Sequence, residues 1–286
     1  MKDPKIIGDD MNIMDKLSGR KVKNQKSISE LISLKGKRSL ITGAASGIGR
    51  ATAIRFAEAG SDLILIDMDE LGLEKTKSLA GEFSVGVETY QVDLSKKVEI
   101  DTLWKTLDGR EPDILVNNAG VYWFKDFTDI DETFYERTMA INLHAVFWMC
   151  QHFVKARKDR GGIIINVSSI EAFLPFAKGL VHYDVAKLGV VALTRAIARE
   201  YGKKIRANAI VPGGIETEGV KKLKKETIMG LDARKIGLSL HFNARLPMGR
   251  FGEADEVAKV MLFLASDLAS YVNGAIIPVD GGFLST

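Results

Sequence analysis

The chain has 286 residues, 46% hydrophobic and 27% charged, with a formal net charge of +3, the profile of a soluble globular protein. The positive charge sits at the start, where residues 1–37 hold nine Lys or Arg against five acids; the rest offers no basic surface for nucleic acid. Cys150 is the only cysteine, which excludes an internal disulfide framework and a Cys-rich metal site. The four histidines (His144, His152, His182, His241) show no ligand spacing, so no metal is expected. No apolar run reaches membrane-span length and the N-terminus lacks the apolar core of a signal peptide, so a reducing cytoplasm is the expected location.

Residues 1–35 are polar, with only ISELISL amphipathic, and read as a basic N-terminal extension outside the fold. From residue 36 the pattern turns regular. RSLIT (38–42), DLILID (62–67), VETYQV (87–92), DILVN (113–117), GIIINV (162–167), IRANAIV (205–211) and GAIIPVD (274–280) read as strands. Between them lie helical patterns over 47–60, 69–81, the run KKVEIDTLWKTLD, 134–157, the run that begins at Tyr183, and 253–265. Cys150 falls in HAVFWMC, an apolar helical run, and reads as a buried structural thiol. Strand and helix alternate, and several strands are continuously apolar. A parallel sheet covered on both faces requires that pattern, so the expected fold is α/β: one doubly wound domain over 36–286 with about seven strands.

Thr42-Gly43-Ala44-Ala45-Ser46-Gly47-Ile48-Gly49 lies between the first strand and the first helix. Glycines there permit a tight turn and close backbone approach, and the helix N-terminus offers free N–H groups to a pyrophosphate. Asp67 ends the second strand, twenty residues after Gly47. An acid there accepts ribose hydroxyls and repels a 2′-phosphate, and no Arg or Lys precedes Gly49 in the loop, which favours NAD over NADP. The alternative is that Asp67 caps the next helix, a task that Asp69 could also take.

Tyr183 and Lys187 stand four apart in YDVAKLGVVALTRAIAREYG, on one helical face. A free phenol titrates near ~10, and a neighbouring cation lowers that value, so the pair is expected to work as a proton shuttle.

With Asn117-Asn118-Ala119-Gly120 after the fourth strand and Ser168-Ser169 after the fifth, these motifs occur in the order found in the short-chain dehydrogenase/reductase family, which the chain resembles from about Leu34 onward. The resemblance implies a catalytic tetrad of Asn142, Ser169, Tyr183 and Lys187. Asn142 would kink its helix and hold a water, Ser169 would hydrogen-bond the reacting oxygen, Tyr183 would be the general acid/base, and Lys187 would bind the nicotinamide ribose. Ser169 is preferred to Ser168 because it is the second Ser that aligns with the motif. The implied cofactor site comprises Gly43, Ser46, Gly47, Ile48, Gly49, Asp67, Met68, Asp93, Leu94, Asn118, Ala119, Gly120, Pro212, Gly213, Ile215 and Thr217, with Tyr183 and Lys187. A homotetramer is implied in the same way.

Substrate choice is expected from Tyr122-Trp123-Phe124 as an aromatic wall, with Trp123 chosen as the contact, from Glu171 and His182 as polar contacts, and from a lid over 214–247. Glu216 is a further polar candidate, and surface positions for these acids and His182 remain the alternative. The leading expectation is NAD-dependent oxidation of a secondary alcohol in a sugar, sugar acid or polyol. The alternatives are a 3-oxoacyl thioester reductase and, outside enzymes, a cofactor-sensing binding protein.

Overall fold

The structure is a computed structural model that describes residues 26–218 and 245–286. Residues 1–25 of the expected extension and 219–244 of the expected lid lie outside the described residues. The chain divides into two compact units, Met1–Leu31 and Ile32–Thr286. A short helix α1 (Ile28–Ile32) begins in the first, opened by a reciprocal cap between Ser27 and Glu30.

The second unit is built on β1 (Arg38–Thr42), β2 (Asp62–Asp67), β3 (Val87–Gln91), β4 (Ile114–Asn117), β5 (Gly162–Val167), β6 (Ile205–Pro212) and, at the C-terminal end, a strand over Ile276–Val279. All pair in parallel, in the order β3-β2-β1-β4-β5-β6 followed by Ile276–Val279. This is the expected doubly wound sheet of seven strands. Two further strands, β7 (Ile215–Glu216) and β8 (Gly252–Glu253), form a separate parallel pair that the sequence did not announce; the C-terminal strand is therefore β9. Two residues carry no periodicity to read.

The helices are α2 (Gly47–Glu58), α3 (Glu70–Gly81), α4 (Lys97–Thr106), α5 (Glu132–Met139), α6 (Ala145–Arg157), α7 (Val181–Tyr201) and α8 (Ala254–Ala265). Period-two alternation splits each apolar strand between two cores. Ile41, Leu65, Val116 and Ile165 face a cluster with Phe56 of α2 and Met261 and Leu264 of α8. Their neighbours Leu40, Ile64, Leu115 and Ile164 face Trp104 of α4, Met149 and Phe153 of α6, and Val190 of α7. Each fully buried Leu, Ile or Phe contributes about 1.5–3 kcal/mol, so this double burial is what holds the layers together. Leu34, within the expected extension, is fully buried in the first cluster.

Polar groups between the central strands and α7 are paired. Asn117 Nδ2 donates to Asn166 Oδ1 at 2.8 Å, and Asn166 Nδ2 donates to Thr194 Oγ1 at 2.9 Å, tying β4, β5 and α7. Cys150 sits against Asn117 and Asn166, 1% exposed, and burial pushes its thiol up to about 12. The expected structural thiol is what the fold contains.

Candidate active site

The strand register brings the carboxyl ends of β1, β4, β5 and β6 to one edge of the sheet, where the strand order reverses between β1 and β4. Open α/β sheets bind ligands at that switch point. The turns that leave these ends carry the residues singled out by the sequence.

At the first turn, Gly43 has φ +66° and Gly47 φ +52°, the left-handed region that glycine adopts without strain. A Cβ on Gly49 would lie 2.0 Å from the Gly43 carbonyl oxygen, so only glycine fits there. Ser46 takes extended φ/ψ at the head of α2 but its side chain does not cap the helix. The neighbouring β4 turn is laced to this one. Asn118 Nδ2 donates to Thr42 O (3.0 Å) and Gly43 O (3.1 Å), while Thr42 Oγ1 accepts from the N–H groups of Asn118 (3.0 Å) and Ala119 (3.1 Å). Ile48 is half-buried at the first turn of α2. Thr217 comes over from the β6 side, its Cγ2 3.1 Å from where a Gly47 Cβ would stand. Gly213 packs against Asp280 closely enough that a Cβ would meet its Cα at 2.7 Å. Pro212 ends β6, and Ile215 is buried on β7.

Asp67 does not cap α3; Asp69 does, accepting from Gly72 N at 3.0 Å. Asp67 instead accepts from Ala45 N through Oδ2 (3.0 Å) and from Met68 N and Asp69 N through Oδ1 (2.7 and 3.1 Å). Its charge is thus fastened to the glycine turn. Arg50, which follows the turn, has donors committed to Ala45 O, Thr76 Oγ1 and Glu218 Oε1. Met68 is exposed. Asp93 accepts from Ser95 and pairs with Lys96, and the Ser95 hydroxyl holds its carboxyl below the usual range. Leu94 is buried in the second core cluster, where its side chain packs.

Two of the expected tetrad residues, Asn142 and Lys187, meet at Gly120. A Cβ there would lie 2.9 Å from Asn142 Oδ1 and 3.2 Å from Lys187 Nζ. Asn142 lies in a π-helical segment, Ala140–His144, between α5 and α6, the local form of the expected kink. Its carboxamide clasps the backbone of Val121, accepting from N (3.0 Å) and donating to O (3.1 Å). Lys187 is 3% exposed, donates to Val167 O at 3.0 Å and stands 5.6 Å from the Tyr183 ring centroid. Ser169 stands beside the Tyr183 phenol, where it lowers that group's pKa, and also caps the turn Ile170–Ala172, accepting from Glu171 N at 3.2 Å. Ser168 faces the other way and donates to Lys187 O at 2.8 Å.

The electrostatics correct one expectation. Burial pushes the Tyr183 phenol above its ordinary value, with the Ser169 side chain pulling the other way and the charges of Glu171 and Asp184 pushing with burial. Burial likewise pushes Lys187 down to about 8. Both groups lean to their neutral forms because both have left water, and desolvation outweighs the attraction that the spacing suggested.

The substrate-side expectations are redistributed. The ring against Tyr183 is Tyr122, edge to face at 5.0 Å, and Phe124 packs on Tyr122 at 5.0 Å. Trp123 alternates to the other side, against Phe134 and under Arg137. His182 goes with it: it is buried, its Nε2 3.0 Å from Trp123 O and its ring 4.9 Å from Phe134. Glu171 is also buried, and its carboxylate is largely spent on the chain that follows, accepting from Phe176 N (2.8 Å) and Ala177 N (3.4 Å), with the Tyr122 hydroxyl 3.4 Å away. Glu216 is exposed on β7. Sequence reading passed over Asp184, whose carboxyl is pushed up to about 7 by burial and by Glu171. It also passed over the Thr42 hydroxyl that laces the two turns. An acid in a helix's first turn and a strand-end threonine are both ordinary, so neither carried a signal.

A glycine turn shaped for a pyrophosphate beside a buried Ser–Tyr–Lys group is the site of a nucleotide-dependent oxidoreductase. A family model described as enoyl-(acyl carrier protein) reductase matches residues 43–284. A 3-oxoacyl-(acyl-carrier-protein) reductase of Thermotoga maritima is 37% identical over 255 residues, covering 88% of this chain and 99% of that protein. A 2-dehydro-3-deoxy-D-gluconate 5-dehydrogenase of Bacillus subtilis is 34% identical over 263 residues, covering 90% and 98%. The solved structure of a gluconate 5-dehydrogenase from Burkholderia cenocepacia, in complex with NADP and tartrate, superposes with a TM-score of 0.80 at 28% identity, covering 91% and 100%. The chain belongs to the short-chain dehydrogenase/reductase family, oxidoreductases that act on CH–OH groups with NAD(P).

Proposed function

We propose that the protein is an NAD(H)-preferring dehydrogenase that interconverts a secondary alcohol and a ketone on a sugar, sugar acid or polyol. The observation that carries this reading is the buried Tyr183 phenol, with Ser169 beside it and Lys187 Nζ 5.6 Å from its ring centre, at the switch-point edge of the sheet. As phenolate Tyr183 takes the hydroxyl proton in oxidation, as phenol it returns the proton in reduction, and Ser169 holds the substrate oxygen beside it. Lys187 keeps one donor on Val167 O and turns the others to the ribose. Asn142 fixes the Val121 turn below them.

The glycine turn fits a dinucleotide: Gly43, Gly47 and Gly49 let the backbone fold tightly against Asn118, Ala119 and Thr217, at an α2 N-terminus that no side chain caps. Ser46, Ile48, Asn118, Ala119, Gly120, Pro212, Gly213, Ile215 and Thr217 complete the site, with Asp67, Met68 and Asp93 at the adenosine end. Bound there, a nicotinamide dinucleotide supplies the hydride acceptor or donor. The NAD preference rests on Asp67, whose negative charge is fixed beside the turn, and on Arg50, whose donors are already engaged. The Burkholderia relative holds NADP, so cofactor choice is where this reading and that relative part.

The relatives that act on gluconate-type substrates favour the carbohydrate reading, and the Thermotoga relative favours a second one, thioester reduction. A homotetramer in the cytoplasm completes the proposal. Val181, Val185 and Leu188 stay exposed on α7, as does Phe147 on α6, and a second copy would cover them.

The test is a rate panel: gluconate, sorbitol and cyclohexanol, each with NAD and NADP, and acetoacetyl-CoA with NADH and NADPH. NAD-linked oxidation of a hydroxylated substrate is expected. Tyr183→Phe is expected to lower that rate by about 100- to 10 000-fold, the usual worth of a general acid–base, while NADH affinity stays. Fastest turnover of acetoacetyl-CoA with NADPH would overturn it in favour of the thioester reading. Normal NADH binding without turnover would favour a cofactor sensor.

A further inference from the structure

His182 precedes Tyr183 on α7 and is 2% exposed. Its Nε2 lies 3.0 Å from Trp123 O. A carbonyl only accepts, so Nε2 carries the proton and Nδ1 is bare. Nδ1 is buried with no hydrogen-bond partner. A histidine serving substrate or a proton relay would use both nitrogens; this one uses a single N–H to hold a main-chain carbonyl.

The held carbonyl matters because of what lies next to it. The ring contacts of Trp123 and Tyr122 place their side chains on opposite sides of the stretch that carries them. Pinning Trp123 O to α7 therefore sets where the Tyr122 ring falls, and it falls on Tyr183, 5.0 Å between centroids at 89°. A second bond, Lys125 N to Gly179 O at 3.0 Å, anchors the far end of the stretch to the segment that leads into α7. We propose that the His182–Trp123 hydrogen bond is a buckle that seats the Tyr122 ring on Tyr183, making His182 and Tyr122 positioning residues for the reacting phenol. The proposal rests on the reading of Tyr183 as the acid/base.

Two consequences separate this from plain packing. Tyr122 helps to keep water from Tyr183, and burial is the first cause of that phenol's raised proton affinity. Unseating the ring therefore lowers the affinity and moves the pH profile of oxidation toward lower pH. The groups that bear on Tyr183 are Ser169, Glu171, Asp184, Tyr122 and Lys187, and all but Tyr122 stay in place. The buckle itself is built to remain neutral. Burial holds His182 below its ordinary value, and its aromatic neighbours Phe134 and Trp123 already carry the cations of Lys125 and Arg137, each 4.8 Å from a ring centre.

The experiment compares His182→Leu, His182→Gln, Tyr122→Leu and the double variant His182→Leu/Tyr122→Leu. Each is assayed with whichever of gluconate, sorbitol, cyclohexanol or acetoacetyl-CoA wild type turns over fastest, and NADH affinity and far-UV circular dichroism are recorded alongside. His182→Leu is expected to lower kcat about tenfold with KM for cofactor unchanged, and to shift the pH profile down by about one unit. Gln carries an N–H where histidine carries Nε2–H, so His182→Gln restores both. Tyr122→Leu, which leaves His182 intact, reproduces the loss, and the double variant is no worse than the poorer single, since both cut one connection. An unchanged pH profile in His182→Leu and Tyr122→Leu overturns the proposal, as does additivity of the two. If Tyr183→Phe keeps full activity, the acid/base reading fails, which is a distinct result from failure of the buckle.

Discussion

Asp184 sits in the first turn of α7, where the helix dipole ordinarily welcomes an acid. Here burial and the charge of Glu171 win: the carboxyl rises to about 7, and Oδ1 is buried without a partner. The sign follows from linkage. The folded pKa lies above the unfolded one, so the native state binds the extra proton between the two values, and stability falls as pH rises through that window toward about 7. Asp184→Asn keeps the shape and removes the ionisation, so it is expected to raise Tm more at about pH 8.5, above the window, than at about pH 5.5, inside it. Thermal melts at the two pH values decide it, and an equal effect at both would show that Asp184 is solvated in both states. At this scale the sequence was legible where spacing and chemistry coincide, as in Tyr183 and Lys187. It was silent where the answer is a direction: Tyr122 and Trp123 are both aromatic, and only the fold says which of them faces Tyr183.

The turn from β1 into α2 shows how little latitude one element has. Gly49 could be read from sequence as one glycine among several; the structure shows that its missing Cβ is the reason Gly43 O can stand where it does. Gly49→Ala is expected to force the turn apart, costing about 1–3 kcal/mol of stability by overpacking and weakening NADH binding by about 100-fold or more. Titration of NADH fluorescence tests this; wild-type affinity would mean that the turn yields more easily than its geometry implies. Long periodic elements such as α2 and α7 were visible in the sequence to within a residue or two. The π segment at Asn142 was visible only through family resemblance, because a one-residue insertion in a helical hydrogen-bond ladder leaves the 3.6-residue pattern almost intact. The β7–β8 pair left no pattern at all.

On the scale of the whole molecule, continuous apolar strands announced a sheet buried on both faces, and the fold obeys. What they did not announce is which helix faces remain bare. Val181, Val185 and Leu188 repeat at helical spacing on α7, the spacing of a face that packs, yet each is more than two-fifths exposed. If a second copy covers them, Leu188→Glu places a charge in an apolar contact, where its desolvation costs several kcal/mol, on the order of a whole interface's margin. Sedimentation is expected to show wild type as a tetramer and Leu188→Glu at lower mass with unchanged circular dichroism; a monomeric wild type would remove the argument.

The ladder of Asn117, Asn166 and Thr194 encloses the chain's single thiol. Cys150 lies on the face of α6 that packs against the central strands, within the second core cluster. Reagents that modify thiols attack the ionised sulfur, and at about 12 this one is almost wholly protonated at neutral pH as well as out of reach. The molecule therefore carries a built-in clock: its one sulfhydryl becomes reactive only when the central sheet opens, so the pace of its alkylation measures how often the whole core breathes.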